Sequence, residues 1–299
     1  MKNKVIILFF LLSFPVFSNA QEWLTSLDAA QRIALVQDKM IFMIWEEAAA
    51  IPYPVIMNDG EGNGYLFENF LENEEITKLI WENFVPVKVS EDYYDQLYQQ
   101  AKQNRNEAYV AQLGDDNIKI MDANLHIVNV SESPEAYFNL SEFMTTYAMN
   151  TSFLKLELTN YRNRKDFGSI YRLASKYMDF AILVNEKVRP DIISLALAYA
   201  DEADKFISDD DEKSRSEYED KTTLLRLSQY LLKDRPKKVL RTLKRLTKKE
   251  IVSEEEPLVA YLYYTSFQLL KDSNKAKAWR DKVNDINLKK AELIRRMHL

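Results

Sequence analysis

Glu46 and Glu47 are adjacent carboxylates that directly follow the apolar run Met40–Trp45. A short run of this kind is typical of a strand buried on both faces, and ligands often bind beyond the carboxyl ends of strands in α/β sheets. Two carboxylates there could act as general acid and general base if their surroundings separated their pKa values. Because adjacent side chains near a strand end usually diverge, a solvated acidic loop is the simpler interpretation.

A second chemically distinctive stretch is basic. Residues 233–249 contain nine bases and one acid. Lys237, Arg241 and Lys244 recur at helical spacing opposite the apolar residues, so an amphipathic helix would present them together. Such a stripe could bind phosphate groups or an anionic membrane surface. The alternative is a solvated helix face that complements an acidic part of the same chain.

The sequence predicts no metal site and no cofactor. Asp59, Glu61, Asn63 and Gly64 fit the start of a calcium-binding loop, but Phe70 stands where the bidentate glutamate belongs. The chain has two histidines and no cysteine, too few for a histidine or cysteine metal cluster. We therefore expect a flexible glycine turn in this segment.

The composition excludes further classes of chemistry. The chain has 299 residues, of which 46% are hydrophobic, and this is enough to build a packed core. Without cysteine there can be no disulfide, thiol nucleophile or cysteine-bound iron–sulfur cluster. Three of the five glycines cluster at positions 60, 62 and 64, without the Lys-Ser or Lys-Thr ending of a phosphate-binding loop.

Residues 1–20 have the pattern of a secretory signal peptide. Lys2 and Lys4 precede the apolar segment Val5–Phe14, and small residues end at Ala20, where cleavage would occur. A membrane anchor is the alternative, but the apolar segment is shorter than the ~20 residues that a span needs. The sequence therefore predicts an exported protein that is cleaved near Ala20 and is periplasmic or extracellular.

Charge divides the remaining chain into two parts. Residues 21–150 carry 22 acidic and 7 basic residues, whereas residues 151–299 carry 24 acidic and 31 basic residues. An asymmetry of this size suggests two separately organised domains. The predicted divisions are a signal peptide at 1–20 and domains at 21–150 and 151–299.

The acidic part is predicted to alternate helices and strands. Its elements are a helix from Thr25 or Ser26 to Val36, a strand at 40–45, an irregular segment at 46–64, a helix at 72–81, a strand at 84–89, a helix at 93–105, strands at 118–121 and 126–130 forming a hairpin, and a helix from Pro134 to Met149. Strands joined through helices should be parallel, and the hairpin antiparallel. Pro86 favours a sheet edge for its strand. His126 should face away from Leu125 and Ile127.

Residues 23–149 resemble an exported thioredoxin-like domain. The likeness rests on the order of the elements and on the strings WLTSLDAAQRIALVQDKMIFMIW and LENEEITKLIWENFVPVKV. Members carry a short helix, an apolar strand followed by Trp-Cys-x-x-Cys, a helix ending in Asn-Phe-Val and a valine-rich strand. Glu82–Val89 is the most specific part of the likeness. The resemblance implies a mixed sheet with flanking helices.

The resemblance does not bring the family's reaction with it. A thioredoxin-like redox site needs a reactive thiolate and a resolving cysteine, which would fall within residues 46–52, and this chain has neither. The family's cis-proline would fall near residues 115–116, where no proline is present. Thiol–disulfide exchange is therefore excluded. Trp45 and Tyr53 could instead form an aromatic binding surface around the vacated cleft, with core packing as the alternative.

Residues 151–299 are predicted to be helical throughout. The patterns cover residues 152–161, 167–184, 191–207, 218–232, 236–247, 257–270 and 275–297, with an acidic loop at 209–212 among the breaks. Helices joined by short turns suggest stacked helical hairpins. Residues 257–286 are similar to one tetratricopeptide unit, in which Ala276 and Ala278 would let the second helix approach the first.

These observations predict an α/β thioredoxin-like domain followed by an all-α tetratricopeptide-like domain. The favoured function is a non-catalytic protein-binding or scaffold role, because the redox site is missing and helical repeats usually present binding surfaces. The partner would be a protein or peptide, not nucleic acid. Two alternatives stay open: a thiol-independent enzyme that uses carboxylates such as Glu46 and Glu47, or a peripheral protein that binds a membrane surface through residues 236–249.

Overall fold

The protein is described by a computed structural model over residues 22–131, 138–207, 212–248 and 257–299. The predicted signal peptide, the predicted helix start at Pro134, the acidic residues 209–211 and Lys249 lie outside these ranges. Within them, no helix is both long and apolar enough to cross a membrane.

Seven strands lie in the described residues and form two sheets. They are β1 (Met40–Trp45), β2 (Val55–Asn58), β3 (Gly64–Phe67), β4 (Phe84–Val89), β5 (Lys119–Met121), β6 (Ile127–Val130) and β7 (Phe138–Asn139). The larger sheet has the order β4-β1-β5-β6, and the smaller has the order β3-β2-β7. β1 is parallel to β4 and antiparallel to β5, and β5 and β6 form an antiparallel hairpin. The predicted parallel pair, the hairpin and the edge position of the strand containing Pro86 are confirmed.

β1 is buried on both faces, which explains its uninterrupted apolar sequence. Alternate side chains belong to different hydrophobic clusters, Met40, Phe42 and Ile44 to one and Ile41, Met43 and Trp45 to the other. The larger sheet is therefore the middle layer of the α/β part, with an apolar core on each side.

Six α-helices accompany these strands in the described residues. They are α1 (Leu27–Gln37), α2 (Glu46–Ala49), α3 (Glu74–Asn83), α4 (Tyr94–Asn104), α5 (Glu107–Leu113) and α6 (Leu140–Tyr147). The hydroxyl of Ser26 accepts a hydrogen bond from the Ala29 amide and caps α1, as predicted. α3 and α4 confirm the two helices that the sequence predicts on either side of β4.

Some predictions for this part are wrong. The segment at 46–64 is not irregular, because it contains α2, β2 and the start of β3. β3 is largely exposed, so it lacks the apolar alternation that reveals a strand. The helix expected from Pro134 begins only at Leu140, after β7, where the Asn139 side chain accepts a hydrogen bond from the Glu142 amide and caps it. α5 was not predicted at all.

Eight α-helices follow in the described residues. They are α7 (Lys155–Asn163), α8 (Phe167–Leu183), α9 (Arg189–Asp204), α10 (Glu212–Leu232), α11 (Pro236–Lys248), α12 (Pro257–Leu269), α13 (Ser273–Arg280) and α14 (Asp285–Met297). A mixed α/β region followed by a helical region is therefore confirmed. The single helix predicted over 275–297 is wrong, because α13 ends at Arg280 and the Asn284 side chain caps the start of α14.

α12 and α13 form the helical hairpin that the tetratricopeptide-like pattern predicts. Ala276 is buried where the two helices meet, whereas Ala278 is exposed. The rings of Tyr263 and Trp279 stack across the hairpin with their centroids 4.3 Å apart. Only the first of the two alanines therefore serves the close approach of the helices.

One hydrophobic cluster extends from the α/β part into the helical part. It includes Phe42 and Phe143 from the first part and Tyr177, Leu231 and Ile294 from the second. α8 packs along α9, and α9 packs against the edge strand β6. The two parts therefore share one apolar core, which meets polar groups at the β5–β6 turn.

Candidate functional site

The turn between β5 and β6 carries a fully buried carboxylate, Asp122. The backbone amides of Asn124 and His126 donate hydrogen bonds to Asp122 Oδ1 at 2.8 and 2.9 Å. The hydroxyls of Tyr177 on α8 and Tyr199 on α9 donate to Oδ2 at 2.9 and 2.5 Å. One carboxylate thus closes the hairpin turn and joins it to two helices of the other part.

Burial raises the pKa of Asp122, and the four hydrogen bonds act against that increase because they favour the ionised form. The pKa values of Tyr177 and Tyr199 are also raised, by burial first and then by the adjacent carboxylate, so both hydroxyls remain donors. Each carboxylate oxygen of Asp122 already accepts two hydrogen bonds from within the protein. We infer a structural role for this carboxylate, since a general base would need a free lone pair facing a substrate.

A second carboxylate, Glu202 on α9, lies next to this cluster and is mostly buried. Its oxygens lie 3.0 Å from the Arg105 guanidinium and 2.8 Å from the donating hydroxyl of Tyr161, while the Lys165 ammonium lies 3.6 Å away. Burial alone would lower the pKa of Arg105, but Glu202 and the neighbouring tyrosines keep it raised. This ion pair crosses between the α/β part and the helical part.

His126 lies between the two carboxylates and is 2% exposed. Its ring stacks on Tyr199 with centroids 3.8 Å apart, facing away from the apolar cluster of Ile127 as predicted. Nε2 is 3.2 Å from a Glu202 oxygen, yet neither ring nitrogen makes a hydrogen bond with any described residue. Burial, with Arg105 nearby, lowers the pKa of His126 well below its usual value. The ring is therefore neutral at pH 7.

A groove of about 430 Å³ opens beside these residues, between α5, β6 and α9. We call it the junction groove. It is lined by Arg105, Asn106, Ala108, Tyr109, Gln112, His126, Ile127, Val128, Asn129, Asp191, Ser194, Leu195, Ala198, Asp201, Glu202 and Lys205. Both signs of charge are present, and its volume is in the range of ordinary ligand sites.

Residues of β6 line this groove. β6 is the edge strand of the larger sheet, so one side of its backbone has no neighbouring strand. The side chains of Ile127 and Val128 belong to apolar clusters on opposite sides of the sheet, yet both residues line the groove. Because consecutive side chains of a strand point in opposite directions, the groove lies against the edge of β6 and not against one face of the sheet.

The two aromatic residues expected around the vacated cleft lie in the core. Trp45 is 1% exposed, and its indole N–H donates to the Leu113 carbonyl at 3.0 Å. Tyr53 is 4% exposed, and its hydroxyl is 3.1 Å from that of Ser131. They belong to clusters on opposite sides of the sheet, so the structure does not bring them together. Both residues therefore have the surroundings expected for core packing and not for an aromatic binding surface.

Glu46 and Glu47 occupy the first turn of α2, and both side chains are exposed. Successive residues on a helix point in directions about 100° apart, so the two carboxylates do not converge on one reacting atom. Their placement is that of a solvated acidic surface beyond the end of β1. Acidic side chains in the first turn also suit the positive end of a helix dipole.

Lys119, the first residue of β5, is a fully buried cation. Its ammonium donates to the carbonyls of Asp115 and Asn117, the latter at 3.1 Å, and lies 5.6 Å from the ring centre of Trp45. Burial lowers the pKa of Lys119 to about 8, although nearby carboxylates, first among them Asp115, oppose the change. The ammonium group thus fixes the backbone at residues 115–117.

Lys237, Arg241 and Lys244 are exposed on α11, together as predicted. The opposite side of the helix is buried through Val239 and Leu243. α11 packs on α10 and α12. No ion pair within the described residues joins α11 to the acidic part of the chain.

In the glycine-rich turn at residues 59–64, the Asp59 carboxylate accepts hydrogen bonds from within the turn itself. Asp59 accepts hydrogen bonds from the amides of Glu61 and Asn63 at 2.8 Å each and from the Asn63 side chain at 2.9 Å. These bonds lower the pKa of Asp59, that of the Asn63 side chain contributing most. Within the described residues, no group of three or more His, Cys, Asp or Glu side chains is placed to hold a metal ion.

The sequence analysis did not identify the junction groove. The sequence placed Asp122 between two predicted strands, and it placed Arg105, Tyr177, Tyr199 and Glu202 only within predicted helices. A buried acid between two strands is a weak signal on its own, because its partners are 55 and 77 residues away. No family model, curated protein or solved structure matches this chain.

Proposed function

We propose that this chain is an exported, non-catalytic polypeptide-binding protein built on a thioredoxin-like α/β domain, with no thiol–disulfide exchange. The parallel pair β1–β4 connected through helices and the antiparallel β5–β6 hairpin support the thioredoxin-like assignment. The helical hairpin α12–α13 supports a tetratricopeptide-like second domain. The complete absence of cysteine supports the loss of the redox reaction.

The junction groove along β6, an edge strand with no further strand beside it, is the observation that carries polypeptide binding. An extended chain can add to an unpaired strand edge through its own repeating N–H and C=O groups. A groove with α5 on one wall and α9 on the other would hold such a chain in register.

The walls of the groove would supply selectivity. Ser194 and Gln112 are exposed polar side chains on opposite walls. Asp191 accepts a hydrogen bond from the Tyr147 hydroxyl at 2.8 Å, which fixes that carboxylate beside the groove. Polar walls around a main-chain edge suit a peptide whose side chains alternate between the two helices.

The matched pair Ser194→Trp and Ala278→Trp tests this proposal. Ser194 lines the groove, whereas Ala278 is exposed on α13, which does not line it. A photoreactive amino acid at Gln112 should crosslink to short synthetic peptides in the wild-type background and in Ala278→Trp. Ser194→Trp should abolish that crosslink because the indole fills the groove. Equal crosslinking in both tryptophan variants would contradict the proposal.

Two further measurements separate the alternatives. Catalytic turnover by the purified protein, lost in the double variant Glu46→Gln and Glu47→Gln, would favour the enzyme over the binding protein. For export, N-terminal sequencing of protein produced in a secreting host should find Gln21 as the first residue. A chain that keeps its first residues after secretion would contradict cleavage near Ala20.

A further inference from the structure

The turn between α10 and α11 holds a second cavity, of about 710 Å³. We call it the basic pocket. It is lined by Asp234, Arg235, Pro236, Lys237, Lys238, Arg241, Leu269 and Leu270. Four of the eight lining residues are cations and one is an anion, so the pocket carries a net positive charge.

The local fold concentrates this charge. Asp234 has φ +49°, in the left-handed region, and the chain reverses sharply there so that α11 starts beside the end of α12. Pro236 occupies the start of α11, where its fixed φ is favourable. The positive end of the α11 dipole therefore lies at the same place as the side-chain cations.

Asp234 is the one acidic residue among those that line the basic pocket. Arg235, Lys237 and Arg241 are exposed and form no ion pair with any described residue. Lys238 lies 3.9 Å from the ring centre of Tyr230, and that cation–π contact leaves its charge uncompensated. Lys244 and the other bases of α11 extend the positive surface beyond the pocket along a helix that is about 20 Å long.

We infer that the basic pocket and the exposed face of α11 bind the phosphate groups of an anionic lipid surface. A free phosphate would engage only one group of cations, whereas a lipid surface presents many phosphates along the length of the helix. Leu269 and Leu270 give the pocket an apolar wall beside its cations, which suits a headgroup attached to an acyl chain. This inference is independent of the junction groove and of the peptide-binding proposal.

The mode of binding follows from the packing of α11. Val239, Leu243 and Leu246 are buried against the neighbouring helices, so the apolar side of α11 is not free to enter a bilayer. The attachment is therefore electrostatic and superficial, and it weakens as salt screens the charges. An inserting amphipathic helix would instead hold its lipid through apolar burial and tolerate salt.

Sedimentation with lipid vesicles provides the test. The mature full chain should bind vesicles of phosphatidylcholine mixed with phosphatidylglycerol and not vesicles of phosphatidylcholine alone. The triple variant Arg235→Glu, Lys237→Glu and Arg241→Glu should weaken that binding by about 30-fold or more, since each base near such a surface contributes appreciably. Acidic residues near the start of α11 agree with the helix dipole, so the variant should fold.

The matched control reverses three exposed lysines elsewhere, Lys78, Lys187 and Lys289, and makes the same change in net charge. This control should bind the anionic vesicles within about threefold of the wild type, since screening makes distant charges weak. Replacement of the three pocket bases by glutamine gives a milder variant that should also lose binding. Circular dichroism should show the same helix content in all of them.

Several results would overturn the inference. Equal losses in the pocket variant and the matched control would show a general charge effect. Binding of inorganic phosphate in the pocket without any vesicle binding would assign the site to a free phosphate. Salt-sensitive self-association lost in the pocket variant, again without vesicle binding, would assign the surface to the acidic part of a second copy.

Discussion

The Asp122 carboxylate accepts hydrogen bonds from four donors inside the protein, so its removal should destabilise the fold. We expect Asp122→Ala to lower the free energy of unfolding by about 3 kcal/mol or more, because buried hydroxyls and amides would lose their acceptor. Urea denaturation measures this loss. As a comparison, Tyr177→Phe removes one donor only and should cost about 1 kcal/mol. Similar small losses in both variants would contradict the role assigned to Asp122.

His126 makes the stability of the protein depend on pH. Its pKa is well below 6.5 in the folded protein and near 6.5 in the unfolded chain, so the unfolded chain binds a proton first as the pH falls. The contribution of His126 is therefore complete above about pH 6.5 and is lost below it, by up to about 1.4 kcal/mol per pH unit. The groups that face the ring come from three segments: Arg105 follows α4, Lys165 lies between α7 and α8, and Tyr199 and Glu202 both lie on α9.

Urea denaturation between pH 7 and pH 5 checks this dependence. His126→Phe keeps an aromatic ring against Tyr199 and removes the titrating group, so its stability should change less over the same range. His298→Gln is the control, because it removes the other histidine and should keep the wild-type slope. If the pH dependence of stability disappeared in His298→Gln and persisted in His126→Phe, the prediction would be contradicted and the effect would belong to His298.

At the scale of elements, α8 depends on its N-terminal cap. The Asp166 side chain accepts from the Ser169 amide at 2.8 Å, and the Asp166 amide donates to the Ser169 hydroxyl at 3.1 Å. Asp166→Ala should lower the free energy of unfolding by about 1 kcal/mol, because the cap is lost. Glu61→Ala, an exposed acid in a turn, is the control and should change little. The difference between the two is measurable by thermal or urea unfolding.

The elements that sequence could predict are those whose own residues determine them. β1 is apolar on both faces, α1 carries its cap at Ser26, and α8 and α11 show clear helical periodicity. β3 was missed because it is exposed, and α13 and α14 were merged because the apolar pattern continues across their break through Val283, which is buried. Local patterns record burial, and these elements lack a distinctive burial pattern.

The junction groove lies beyond such patterns for a different reason. Arg105 and Glu202 are 97 residues apart in the sequence and become partners only when α9 packs on β6. Tyr177 and Tyr199 are buried in the same way as the apolar residues around them, so their hydroxyls give no separate signal. A site built from long-range contacts requires the tertiary arrangement, whereas the basic stripe of α11 is contained in one helix and is visible in the sequence.

At the scale of the molecule, opposite charges meet where the two parts join. Arg162 lies 2.8 Å from Asp28, and Lys155 lies 2.9 Å from Asp38, so two further ion pairs cross between the parts beside that of Arg105 and Glu202. These pairs are partly exposed and each contributes little. The shared apolar cluster contributes more, since burial scales with area. The two parts therefore differ in net charge and still share one apolar core.

A shared core predicts that the two parts unfold together. Neither part can lose its packing at the β5–β6 turn without exposing the apolar cluster and the hydrogen bonds of Asp122. Three of the four tryptophans lie in the α/β part, at positions 23, 45 and 81, and the fourth is Trp279. In Trp279→Phe, fluorescence therefore reports only the α/β part, while far-ultraviolet circular dichroism reports mainly the helices.

We expect the two signals of Trp279→Phe to change at the same urea concentration, and calorimetry of the wild type to show one transition. Asp122→Ala should move both signals to lower urea by the same amount, because it weakens the contact on which both parts depend. Phe42→Ala, a core substitution within the sheet, should do likewise. Two separate midpoints in Trp279→Phe, or a shift of fluorescence alone in Asp122→Ala, would mean that the junction does not couple the parts, and the junction groove would then lie between two bodies that move independently.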